Sequence, residues 1–298
     1  MEYIEEDGVD REFLYHDHAL AYRGNCLIEC LEFCPKGLQN EVLEHIMDIG
    51  LLLASPLEDN ALSNHAFDQS ITLNKITQLF KGRRNMRVLR ELSIERIKRE
   101  IEYSFSQDGV HVENSPGYHH GMIANVNNSL NSLLQSPLNS RLKGQKEFLP
   151  KMVPYLRWIV RQDGKLPPIG DSEQRQVSFG LAKSLFPEEF NHKNQGMKVF
   201  ANGYAIWRTE KTHLVMKSIQ TGRFHRHDDD CSLTLWHGGE DLLLDSGLLY
   251  YKEKDEDRIH VRSATAHTGI EIPGKKAIRN IFDKSAGKAS VTKTDSIS

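Results

Sequence analysis

Val199-Phe200-Ala201-Asn202-Gly203-Tyr204-Ala205-Ile206-Trp207 decides the fold class, because turn residues stand there between short apolar runs. That texture predicts paired strands, not a helix. Working outward, His213-Leu214-Val215-Met216-Lys217, Cys231-Ser232-Leu233-Thr234-Leu235-Trp236 and Asp241-Leu242-Leu243-Leu244 are also strand-like. His237-Gly238-Gly239-Glu240 is a hairpin turn signal between the last two, so the pairing is antiparallel. Upstream, apolar residues recur at helical spacings over Arg11–Cys34, Glu41–Ala54, Asn64–Phe80, Arg87–Phe105, Tyr118–Leu134 and Arg141–Arg161. Helices first and strands afterwards predict an α+β multidomain chain, helical over 1–190 and β over 191–298. The boundary falls near the polar, weakly patterned stretch Pro187–Gln195. No fixed-period repeat is visible, which argues against a helical-repeat array.

The 298 residues are 39% hydrophobic and 27% charged, the balance of a globular protein. A net charge of -3 argues against a general nucleic-acid partner, which would need a basic excess. The longest apolar candidate, Ile46 to Leu57, is broken by Asp48 and Pro56 and falls short of the ~20 residues a membrane span requires. The acidic start, Met1-Glu2-Tyr3-Ile4-Glu5-Glu6-Asp7, lacks the pattern of a signal peptide, which taken alone favours the cytoplasm. Cys26, Cys30 and Cys34 form one helical stripe and are expected to be buried small hydrophobes, since a single ridge cannot surround a metal.

Three stretches carry candidate chemistry. Phe224-His225-Arg226-His227-Asp228-Asp229-Asp230 precedes a strand, and on an extended backbone His225 and His227 share a face, suited to zinc or to proton chemistry. The plainer alternative is a solvated polar loop. Asp108–His120 is a loop bounded by Gly and Pro that delivers Glu113, Tyr118, His119 and His120 to the start of a helix. Tyrosine with histidine can transfer protons, but an ordinary capped helix start fits too. Ser63-Asn64-His65 opens a helix, with Ser63 or Asn64 as its cap in the plain reading.

Taken in order, these stretches resemble the heparinase II/III and alginate lyase superfamily of polysaccharide lyases. Tyr15-His16-Asp17-His18-Ala19-Leu20-Ala21-Tyr22-Arg23 is similar to its Trp/Tyr-x-Asp-x-Ala-x-x-x-Arg helix, and Asn64-His65 stands 54 and 53 residues before Tyr118, as its Asn-His pair does. Pro167-Pro168-Ile169-Gly170-Asp171 resembles its linker to the second domain. The second domain's signature is matched by His225-x-His227-x-Asp229-x-x-Ser232, Leu244-Asp245-Ser246-Gly247 and Arg262-Ser263-Ala264-Thr265-Ala266-His267. Thr268 departs from the usual Asn, and Asp228 and Asp230 replace small residues.

The resemblance implies an (α/α) toroid followed by an antiparallel β-sandwich. It also implies more helices before Tyr15 and more strands after Ser298, so the expectation is an incomplete toroid and a partial sandwich. The implied reaction is β-elimination on a uronic-acid glycan, giving a C4–C5 unsaturated product. Asn64 and His225 would neutralise the carboxylate; Tyr118 would protonate the leaving oxygen, with the base assigned to Tyr118 or to His65. Arg23, Glu113 and Arg262 would bind substrate, and His227, Asp245 and His267 would hold zinc. The implied partner is an acidic polysaccharide and the implied location periplasmic or secreted. Non-catalytic glycan binding is the alternative. A metal-dependent hydrolase is the lesser one, from the similarity of His225-x-His227-x-Asp229-Asp230 to the His-x-His-x-Asp-His of metallo-β-lactamase-like enzymes.

Overall fold

The computed structural model describes residues 17–55, 63–190, 194–218, 222, 224–252 and 254–270. The sequence readings at Arg11–His16 and in the loop Pro56–Leu62 lie outside the described residues. The chain divides into two compact units, Met1–Ser104 with Asn127–Lys146, and Phe105–Val126 with Glu147–Ser298. Phe105–Val126 therefore groups with the strands although it belongs to the helical stretch of sequence. No helix among the described residues is long and apolar enough to cross a membrane.

The first unit is built on α1 (Asp17–Cys30), α2 (Gln39–Ala54), α3 (Asn64–Leu79) and α4 (Met86–Tyr103). Leu20, Ile46, Ile49, Leu53, Leu73, Ile76, Phe80 and Met86 make its core. Gly50 lets α2 approach closely: a Cβ there would lie 2.9 Å from a methyl of Ile76. Helix α3 buries polar residues as well, among them Asn74 in a bonded network. The Asn74 side chain donates to Ser93 at 2.9 Å and accepts from Asn139 at 2.8 Å. Buried Arg96 donates to the carbonyls of Leu53 at 2.6 Å and Ala54 at 3.4 Å, completing the C-terminal end of α2.

Two sequence expectations are corrected here. Cys26 and Cys30 are exposed and Cys34 is only half-buried. The core face of α1 is formed by Leu20, Ala21 and Gly24, with Leu27 and Ile28 beside it; Cys26 and Cys30 lie away from that face, and Cys34 lies beyond the end of the helix. Arg141–Arg161 is not one helix. A 3₁₀ segment, Pro137–Phe148, leads into α6 (Leu149–Ile159), and α5 is Pro116–Leu133. Pro150 in the first turn of α6 has no N–H, so an α-helical ladder cannot run through it from upstream.

In the second unit, β1 (Gly196–Phe200), β2 (Tyr204–Arg208), β3 (Thr212–Lys217), β4 (Ser232–His237) and β5 (Glu240–Leu243) pair in sequence order, all antiparallel. Phe200 pairs with Tyr204, Ile206 with Val215, and His237 with Glu240. Gly238 and Gly239 have φ of 60° and 104°, the left-handed pair that a two-residue hairpin demands. Burial alternates along β3 and β4, so one face of the sheet looks inward. Tyr155 of α6 sits against Phe200 and Tyr204, ring centroids 5.2 and 5.1 Å away, anchoring the helix on that face. Two short helices not expected from sequence complete the unit, α7 (Gly180–Leu185) and α8 (Glu256–Val261).

Candidate active site

In the second unit, the loop Phe105–Ser115 and the loop before β4 are bound together. The Asn114 side chain donates to the carbonyls of Gly222 and Phe224, each at 3.0 Å, and the Asn114 backbone carbonyl accepts from buried Lys217 at 3.3 Å. Lys217 is also paired with buried Asp229 at 2.7 Å. Burial alone would lower its pKa, but Asp229 and the neighbouring acids raise it. Gly170 must be glycine: φ is 55°, and a Cβ would meet the Asn114 carbonyl at 2.5 Å and that of His225 at 3.2 Å.

The next residue, Asp171, is the hub of the cluster. Its buried carboxylate receives His225 Nδ1 at 2.8 Å, His227 Nε2 at 2.8 Å and Arg258 at 2.7 Å. Burial would raise the Asp171 pKa, but the bonds from His225, His227 and Arg258 override it and hold the carboxyl far below its usual range. His225 itself sits at φ 53°, a left-handed conformation costly for a non-glycine residue and held by its surroundings. Its ring stacks on Tyr118 with centroids 3.7 Å apart. The Tyr118 hydroxyl shares a 2.8 Å hydrogen bond with that of Tyr251, whose ring meets His225 edge-on at 6.0 Å. Glu113 is buried, with a carboxylate oxygen 3.8 Å from His225 Nε2. Burial, the Tyr251 bond and the charges of Glu113 and Asp171 all raise the Tyr118 pKa, so its phenol is protonated at neutral pH.

Beside this cluster, His227, Asp245 and His267 bring potential ligand atoms within 4.8 Å of one another. Asp245 is buried, bonded by Ser232 at 2.8 Å and by His267 Nδ1 at 3.0 Å. The Nε2 of His267 is buried and has no hydrogen-bond partner among the described residues. Two imidazoles and a carboxylate with a buried, unmatched nitrogen suit a zinc ion. With His227 Nε2 bonded to Asp171, Nδ1 is the ring nitrogen a metal would take. The metallo-hydrolase arrangement is not built. Asp229 turns to Lys217, while His225 and His227 both turn to Asp171.

Among the remaining sequence candidates, Arg262 donates to the Arg226 carbonyl at 3.0 Å. In the first unit, Asn64 and His65 open α3, capped by the Ser63 side chain accepting from the Ala66 amide at 3.1 Å. The His65 ring stacks on His18 at 4.0 Å, and His18 is bonded to Asp68 at 2.8 Å. Arg23 lies half-buried on α1. Sequence reasoning assigned no role to Asp171, Tyr251, Arg258 or Asn114. Only Asp171 carried a signal, as the residue after a glycine in a quoted motif.

The family model described as heparinase II/III N-terminus matches residues 57–194, and that described as heparinase II/III-like, C-terminal matches 193–296. A heparin-sulfate lyase of Bacteroides thetaiotaomicron is 22% identical over 87% of this chain and 42% of its own length. The crystal structure of heparinase III superposes with a TM-score of 0.74 at 19% identity, covering 89% of this chain and 49% of that one. A mutant heparan sulfate lyase of Pedobacter heparinus gives 0.62 at 20%, covering 87% and 46%. The chain spans about half the length of the relatives it matches. With consecutive family models covering both its helical and its β stretch, the chain belongs to the heparinase II/III family.

Proposed function

We propose that this chain carries the catalytic apparatus of a polysaccharide lyase that cleaves a uronic-acid-containing glycan by β-elimination. The observation that carries the reading is the Tyr118–His225 stack, with a protonated phenol on one ring and an Asp171-held imidazole as the other. β-Elimination removes the C5 proton α to a carboxylate that already bears negative charge. The intermediate therefore needs fixed donors against that carboxylate and a proton for the departing 4-oxygen.

With Nδ1 donating to Asp171, His225 keeps Nε2 for the substrate carboxylate, to which it donates in its imidazolium form. Tyr118, kept protonated, supplies the proton to the leaving oxygen, and Tyr251 fixes the direction of that hydroxyl. Asn64 and His65 keep the roles that the resemblance implies, a second neutralising donor and the alternative to Tyr118 as the base. Glu113, Arg23 and Arg262 are the candidates for substrate contacts. His227, Asp245 and His267 would hold zinc, which when bound supplies a rigid cross-link among the loops beside His225.

The test is a panel of uronans, heparan sulfate, alginate and others, assayed for the absorbance of an unsaturated uronate. Turnover of at least one polymer with a new chromophore is the expected result. Polymer binding without product would identify a non-catalytic glycan binder, and cleavage without a chromophore would identify a hydrolase.

A further inference from the structure

His225 stacks on Tyr118 from a backbone with φ of 53°, uncommon for a residue with a Cβ. Such a conformation persists where the surroundings over-determine it. The bond from Nδ1 to Asp171 orients the imidazole but leaves the backbone free to turn. The torsion is set by the two peptide planes that flank the Cα, and both are referred to one residue, Asn114.

On the N-terminal side, the Phe224 carbonyl and the His225 amide belong to one peptide plane. Asn114 Nδ2 donates to that carbonyl at 3.0 Å and to the Gly222 carbonyl at 3.0 Å, so one amide holds the plane through two bonds. On the C-terminal side, the His225 carbonyl and the Asn114 carbonyl both lie against Gly170, where a Cβ would come within 3.2 and 2.5 Å of them. The Asn114 backbone is itself pinned, since its carbonyl accepts from buried Lys217 at 3.3 Å. Its φ of 60° is one that asparagine enters more readily than most residues. Asn114 is four residues before Tyr118, so the loop that ends in the phenol also clasps the loop that carries the imidazole. The neighbouring Ser115 shares a 2.7 Å hydrogen bond with Ser172, which leaves the loop an anchor when the Asn114 amide is removed.

We propose that Asn114 is a positioning residue of the Tyr118–His225 pair: its side-chain amide imposes the left-handed backbone of His225 and thereby the stacking of that ring on Tyr118. Asn114 acts through the two carbonyls alone and needs no contact with substrate. The kinetic consequence rests on the lyase reading of the pair; the conformational consequence does not. A reacting group displaced by about 1 Å loses about 100-fold in rate, so the clasp is a requirement of turnover and not of binding.

The experiment is NMR of the full chain with isotope-labelled histidine, at one pH. The His225 signal is identified by its loss in His225→Gln, and the effect of the Tyr118 ring upon it is calibrated by Tyr118→Ala. Asn114→Gly keeps the left-handed backbone and deletes both bonds; Asn114→Asp keeps the side-chain shape and turns an acceptor towards both carbonyls. In each, the His225 signal is expected to move by more than half of the Tyr118→Ala displacement. The signal of His213, bonded to the Trp158 carbonyl at 2.8 Å in the same unit, should stay in place. On a uronan that the wild-type chain cleaves, kcat should fall about 100-fold with KM changed by less than about threefold. A His225 signal at its wild-type position in both variants overturns the proposal, and so does an unchanged kcat; either result leaves the lyase reading intact. Collapse of the His213 signal along with that of His225 in both variants also overturns it, making Asn114 a general determinant of folding. If the wild-type chain yields no unsaturated product from any uronan, the lyase reading falls and the His225 signal alone decides the role of Asn114.

Discussion

Asp171 organises the Tyr118 cluster more than any residue that faces it, because one carboxylate sets the orientation of both His225 and His227. In Asp171→Asn the geometry can persist while the charge that compensates Arg258 is lost. We expect kcat/KM on a uronan to fall about 100-fold and zinc affinity by about 10- to 100-fold, the latter read by competition with a chromophoric chelator. Unchanged metal affinity would show that Asp171 does not support the metal ligands. Chelation of the wild-type chain should likewise lower its melting temperature by several degrees, since a metal held by the folded state alone stabilises it. The grouping of His227, Asp245 and His267 was implied in the sequence only by the resemblance of the motifs that carry them. Tyr251 and Arg258 were not, because their importance comes from where the chain after β5 folds back, and nothing local in Leu248–Val261 marks it.

At the scale of elements, the strands were legible nearly to the residue. Alternating burial and the Gly238-Gly239 turn are local properties that survive into the folded sheet. The long helix expected over Arg141–Arg161 failed because apolar periodicity is blind to a proline that ends a hydrogen-bond ladder. The Cys26–Cys34 stripe failed because spacing identifies a face, not which side of the helix the core will cover. The junction of α2 and α4 offers a test. Arg96 bonds the last carbonyls of α2, so Arg96→Met should destabilise the helical unit by about 2–3 kcal/mol, measured by denaturant unfolding. The sheet's own transition should shift far less if the two units unfold separately.

Across the whole molecule, the division into helical and β parts was legible from the change of pattern near 190. The grouping of Phe105–Val126 with the β unit was not, since it depends on contacts distant in sequence such as Asn114 with Gly222 and Phe224. That same unit stores a pH dependence. Burial pushes the pKa of His111 and His119 down to about 3 and that of His213 to about 4. Each is neutral when folded but takes a proton near pH 6.5 when unfolded, so the unfolded state binds more protons below that pH. Stability should therefore be full above about pH 6.5 and fall as pH drops towards 4, by up to about 1.4 kcal/mol per pH unit for each histidine. Thermal unfolding across that range measures it. His119→Gln should flatten the slope, and a slope unaltered by that change would mean the proton uptake lies elsewhere.

The most direct measurement of the lyase reading compares turnover and binding in Tyr118→Phe. The phenol moves a proton only as the bond breaks, so its loss should appear in kcat. We expect unsaturated product to fall at least about 1,000-fold while the dissociation constant for the same uronan changes by less than about threefold. Wild-type rates of unsaturated product from Tyr118→Phe would contradict the role given to this residue and, with it, the assignment of the Tyr118–His225 pair as the reacting centre.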